Sequence, residues 1–159
     1  MRRGTLVVSQ PGARQEPYLD PPGDPTNSGA RQRILDRDEP LSLSVVLDEA
    51  ALLRQVGGAE TMRDQLRRLA QAAGQPNIEL QVLPNNAGAH PAITGEFTIL
   101  EFPELIAPDV VYLENMTSNV YVEQEAQVYR YSLAFEGLRG LALEPGESRK
   151  LISGLAEAL

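Results

Sequence analysis

The sequence predicts an α+β fold, an antiparallel or mixed sheet packed against helices, with two helices closing the chain. Three observations carry that expectation. Short runs of alternating polarity recur at Leu41–Leu47, Ile78–Val82 and Phe97–Phe102, the period-two pattern of strands. Met62, Leu66, Leu69 and Ala73 repeat at helical spacing. The strands cluster ahead of the terminal helices rather than alternating with them.

Thr5-Leu6-Val7-Val8 reads as a short strand. Pro11, Gly12, Pro17, Pro21, Pro22, Gly23, Pro25 and Gly29 punctuate the segment from Gln10 to Gly29. So little apolar surface does not offset the entropy of ordering a chain, so a mobile arm or wrapping loop is expected there. Ala30–Leu35 is expected to make a helical turn, ended by the charged run Asp36–Glu39 and Pro40. The expected division is an N-terminal strand and arm over 1–40 and one domain over 41–159.

Leu41, Leu43, Val45 and Leu47 alternate with Ser42, Ser44 and Val46, which predicts a half-buried strand. Asp48 is placed to cap the short helix that follows. Gly57 and Gly58 break that helix before a longer one over Ala59–Ala73, stopped by Gly74 and Pro76. Ile78–Val82 and Phe97–Phe102 are strands separated by a loop that contains Gly88-Ala89-His90-Pro91. Asp109–Glu114 and Asn119–Val122 form a hairpin. From Glu123 a helix carries Val128, Tyr131, Phe135 and Leu138 up to Gly140, and Glu144-Pro145 starts the last one.

Composition excludes several functions. Lys and Arg total 14 against 22 Asp and Glu, a net charge of −8. A nucleic-acid binder needs cationic surface to displace phosphate counterions, and carboxylates lie close to the arginine clusters that follow Arg2 and Arg3. No cysteine is present, which removes disulfides, thiolate metal sites and a cysteine nucleophile. No apolar run nears the roughly 20 residues of a membrane span, and the N-terminal apolar stretch is too short for a signal peptide. The cytoplasm is the expected compartment, with no membrane partner.

His90 is the only histidine. It is read either as a loop residue bonded to neighbouring backbone or as a pocket donor and proton shuttle. Glu49 and Glu114, at strand ends, are the other acid–base candidates, each able instead to pair or cap locally. Tyr112 and Tyr121 lie on opposite arms of the hairpin, either packing across strands or offering hydroxyls to a small-molecule pocket. Met62, Phe97 and Asn115 complete the candidate ligand-binding set. No phosphate loop, GxGxxG, HExxH or EF-hand pattern occurs, so neither a cofactor nor a metal is expected.

Ser44-Val45-Val46-Leu47-Asp48-Glu49-Ala50-Ala51-Leu52, Val56-Gly57-Gly58, and Met62 with Gln65-Leu66 form a connected signature. It continues through Ile78–Pro84, Gly88–Pro91, Gly95 with Phe97–Leu100, and Val110–Glu114. In that order and spacing these segments resemble the uncharacterised C-terminal domain, antitoxin-like and read as sensing, of actinobacterial XRE-family helix-turn-helix regulators. The resemblance covers residues 41–159. Upstream, Pro11-Gly12-Ala13-Arg14-Gln15 with Tyr18 is similar to the family's Pro-Gly-Leu-Leu-Gln segment without its leucines. The sequence starts too late to include the helix-turn-helix that would enter a DNA groove, so the resemblance does not carry DNA binding over.

Two functions follow. One is a stand-alone module binding a small molecule or a small partner protein, with a homodimer as a further possibility. The other is a cofactor-independent cyclase, isomerase or dehydratase of secondary metabolism that reuses the regulator-domain pocket, since such reactions need mainly shape, orientation and one or two donors or bases. Either way, the purified chain is expected to leave the fluorescence anisotropy of labelled duplex DNA unchanged at about 50 mM salt. Tight binding that weakens as salt rises would contradict the charge reading.

Overall fold

The computed structural model describes residues 3–8, 33–102, 107–115 and 117–159. The whole proline-rich segment Gln10–Gly29 read as an arm, the first residues of the Ala30–Leu35 turn, and Met116 in the hairpin loop lie outside the described residues; Arg33–Leu35 form a short 3-10 turn. Among the described residues six strands form one mixed sheet: β1 (Arg3–Val8), β2 (Ser42–Asp48), β3 (Ile78–Leu83), β4 (Phe97–Glu101), β5 (Val110–Glu114) and β6 (Asn119–Val122). Their order is β3-β2-β1-β4-β5-β6. β1, β2 and β3 run parallel, while β4, β5 and β6 add antiparallel. β1 is therefore interior, pairing with β2 on one side and β4 on the other. The boundary expected at residue 40 does not separate two structural units, because the strand before it completes the sheet of the chain after it.

Among the described residues four α-helices cover the sheet: α1 (Glu49–Leu53), α2 (Ala59–Ala72), α3 (Glu125–Leu141) and α4 (Pro145–Ala158). Asp48 caps α1 as expected, its carboxylate accepting from the Ala50 N–H at 2.9 Å. Gly57 and Gly58 adopt φ of 78° and 91°, a region that only glycine enters without strain, and so turn the chain sharply between α1 and α2. α2 buries Met62, Leu66 and Ala70, one stripe at helical spacing.

Successive strand residues face opposite sides, and the helices divide accordingly. On the first face Val45, Leu80 and Val82 pack against Leu52, Met62, Leu66, Ile152 and Ala156 of α1, α2 and α4. On the second, Val46, Leu83, Phe97, Ile99 and Val111 pack against Val128, Phe135 and Leu138 of α3. β2 is thus not half-buried. Val45 and Val46 are both buried, because a parallel strand with helices on both faces has no wet side at its middle.

The outer edge of β3 is closed at Val82 by buried polar groups. Ser148, fully buried in α4, accepts from the Val82 N–H at 2.9 Å and donates to the Leu143 carbonyl at 3.1 Å. The Leu143 N–H donates to the Val82 carbonyl at 2.9 Å, and the buried Gln81 amide donates to Leu143 O at 3.0 Å. One junction between α3 and α4 is thereby fastened to a strand that helices alone would not register.

Among the described residues no helix is long and apolar enough to cross a membrane. Replacing Ser148 with Ala leaves the Val82 donor buried and unmatched, and is expected to cost about 1–3 kcal/mol in urea unfolding. Ser132→Ala, which removes only a bond to Val128 O within its own helix, is expected to change stability by less than about 0.5 kcal/mol. Equal effects would contradict the role given to Ser148.

Candidate functional site

The C-terminal ends of the parallel strands gather several of the residues singled out from the sequence. Glu49 follows β2, and its carboxylate accepts from the Asn85 N–H in the loop after β3, at 2.7 Å. His90, at the end of that loop, precedes a 3-10 turn at Pro91–Thr94 that packs beside α3. Its Nδ1 is buried and finds no hydrogen-bond partner among the described residues. Phe97 begins β4 and Glu114 ends β5 at this same end of the sheet, with Asn115 just beyond, donating to the Ser118 carbonyl at 2.9 Å.

These candidates share an end without forming one constellation. β2 and β5 are three strand positions apart, which at about 4.8 Å per spacing separates Glu49 from Glu114 by roughly 14 Å. That exceeds the reach of a direct carboxylate pair. Met62 lies in the core under α2, and Phe97 in the core under α3, with its ring centroid 5.0 Å from that of Tyr131. The sheet therefore stands between Met62 and Phe97. Tyr112 and Tyr121 pair directly across β5 and β6, ring centroids 5.1 Å apart, on the face opposite Phe97. Tyr121 is exposed.

A concavity lies at the other end. A cleft of about 390 Å³ opens between α3 and the start of β2 and β3, where β4 ends. Its volume is within the range of small-molecule sites. Ser42 and Ser44 line it from β2, Glu79 from β3, Glu101 from β4, and Phe135, Glu136 and Arg139 from α3. Strand register explains the grouping. Ser44 pairs with Glu79 across β2 and β3, and positions 42 and 101 both pair with position 3 of β1, so all four side chains project to the α3 face.

Arg139 is the electrostatic centre of this cleft. Its Nη2 lies 2.6 Å from Glu79 Oε1, its Nη1 3.3 Å from Glu136 Oε1, and its Nε 3.4 Å from Gln81 Oε1. Burial alone would lower the arginine's pKa, but Glu79 and then Glu136 more than offset it and raise it. The guanidinium thus keeps its charge and a fixed direction. Asn77 closes the bottom of the cleft, its amide donating to Leu35 O at 3.1 Å and to Leu41 O at 3.0 Å. Among the described residues no group of three or more His, Asp or Glu side chains could hold a metal ion.

Sequence reasoning singled out none of the cleft's polar residues. Ser42 and Ser44 read as the wet side of a half-buried strand, and Glu79 as the polar phase of the next. A signal was available: both strands place small or acidic residues in the same phase, which parallel pairing aligns into one polar strip. Arg139 gave none, since its partner Glu79 is 60 positions away.

The model of one protein family, described as a domain of unknown function (DUF5753), matches residues 27–154. No curated protein and no solved structure matches the chain. The Arg139–Glu79 pair is partly exposed, with 35% and 40% of the side-chain surfaces accessible, and such pairs contribute roughly 0–1 kcal/mol. Arg139→Gln is therefore expected to lower stability by no more than about 1 kcal/mol, with a smaller loss at high salt. A larger, salt-independent loss in urea unfolding would make the pair structural rather than part of an open site.

Proposed function

The chain belongs to the DUF5753 family, and from that premise we propose that it is a ligand-binding module of the kind that senses for XRE-type regulators. It takes a small polar molecule in the cleft beneath α3 and does not itself bind DNA. The observation carrying this reading is the convergence of Ser42, Ser44, Glu101 and the Glu79–Arg139 pair on one concavity. Two hydroxyls and the Glu101 carboxylate on the cleft wall favour a molecule rich in hydrogen-bond donors, such as a polyol, sugar or amine. Arg139, already held by two carboxylates, supplies a donor that needs little reordering on binding. Phe135 gives an apolar wall.

Such a site also offers a route to signalling. Its polar groups divide between the sheet and α3, so a bound molecule bridges the two and favours the helix positions in which both contacts are made. The outer side of α3 carries exposed Tyr129 and Leu133 one turn apart. A partner protein resting there would read that shift, which joins the small-molecule and partner-protein expectations in one device.

The alternative is a cofactor-independent cyclase, isomerase or dehydratase, favoured by the buried and unmatched Nδ1 of His90. The two readings use opposite ends of the sheet and are separable by substitution. A panel of sugars, polyols and amines screened by thermal shift, with calorimetry on the hits, is expected to yield binding that Glu101→Gln and Ser44→Ala weaken tenfold or more. His90→Ala is expected to leave that binding unchanged. Hits insensitive to both cleft substitutions, or turnover abolished by His90→Ala with the fold intact, would displace the module reading in favour of the enzyme.

A further inference from the structure

The two edges of the sheet are treated differently. At β3 the outward backbone of Val82 is bonded to Ser148 and Leu143. At β6, among the described residues, no hydrogen bond reaches the outer side of the strand. An uncovered edge is a template for another strand, and proteins ordinarily guard it with charge, proline or a covering element. β6 has none of these guards within it: the run from Asn115 to Val122 has no charged residue and no proline, and Val120 and Tyr121 are exposed large side chains.

We propose that the outer edge of β6 is the contact surface for a second copy of this chain, the two strands pairing antiparallel about a two-fold axis at Tyr121. Hydrogen-bonding phase allows it. Asn115 and Ser118 form a hydrogen-bonded pair that opens the hairpin. Because bonded and non-bonded pairs alternate along an antiparallel ladder, Val120 and Val122 bond inward to β5, while Asn119 and Tyr121 direct their backbone groups outward. Tyr121 then exchanges both bonds with the partner's Tyr121, and Asn119 pairs with the partner's Glu123.

Side chains fit the same register. Directly opposed residues share a face, so Val120 meets the partner's Val122 beside the core in which Val122 takes part. On the other face the Tyr112–Tyr121 pair continues into the partner's Tyr121 and Tyr112, a row of four rings that cross-strand stacking favours. Charge selects this edge over the rest of the surface. Two copies of net charge −8 repel over most orientations, whereas here no carboxylate stands opposite another. A contact limited to one short strand is small, under the roughly 1,200 Å² of standard interfaces, so the association is expected to be weak and reversible.

Sedimentation velocity of the whole chain from about 10 µM to about 1 mM tests this, spanning the range expected of weak contacts. The mean mass is expected to rise toward twice that of one chain. Tyr121→Lys holds it at one chain throughout. Asn119→Pro, which removes an outward donor without touching the β5 ladder, does the same should the lysine variant fold poorly. Hydrogen exchange at the Asn119 and Tyr121 amides is expected to slow with concentration, while that at Val120 and Val122 stays constant. A single-chain mass at every concentration overturns the proposal. So does a dimer that survives both substitutions, or one that leaves the outward amides unprotected.

Discussion

A fully buried serine hydroxyl sets much of this architecture. Ser148 joins the outward N–H of Val82 to the Leu143 carbonyl, so one side chain fixes the junction of α3 and α4 against the edge of the sheet. A buried hydroxyl with both bonds made is tolerated, and one with a bond missing is costly. The contact therefore admits essentially one registration of the helix pair. Given that registration, Ile152 and Ala156 settle on one face of β3 while Leu138 settles on the other. Arg139, one residue on, is delivered to Glu79 over the cleft.

The same closure makes the sheet asymmetric. Its β3 side is covered on both faces and along part of its edge. Among the described residues, its β6 side packs against α3 on one face and carries an exposed tyrosine on the other. The candidate cleft lies between α3 and the sheet, and the edge proposed for strand pairing lies along the second. The cleft's polar strip is permitted because it sits at the strand starts, beyond the stretch where Val45 and Val46 leave no room for water.

What was legible in the sequence was mostly local. Met62, Leu66 and the neighbouring charges announced α2, and Asp48 announced its own cap. The 109–122 hairpin and the two closing helices were legible from polarity and turn residues alone. What escaped depended on partners far along the chain. Ser148 looks like any helix-surface serine, and its role appears only when Val82, 66 positions away, is brought beside it. The central place of β1 was hidden because a six-residue strand before a proline-rich stretch has no local mark of being interior. Site candidates chosen by chemical type, among them His90, Glu49 and Glu114, reached one end of the sheet because they follow strands. Strand order, which local pattern does not encode, then set them apart. The cleft was missed for a related reason: its serines and glutamates are ordinary on separate strands and form a site only when register aligns them.

The most direct test of the account is to map, by amide chemical shifts of the isotope-labelled protein, where polar fragments bind. Perturbations are expected to centre on Ser42, Ser44, Glu79, Glu101 and Arg139, with the loop from Asn85 to His90 unmoved. Shifts centred on that loop and on Glu114, with the α3 cleft silent, would contradict it.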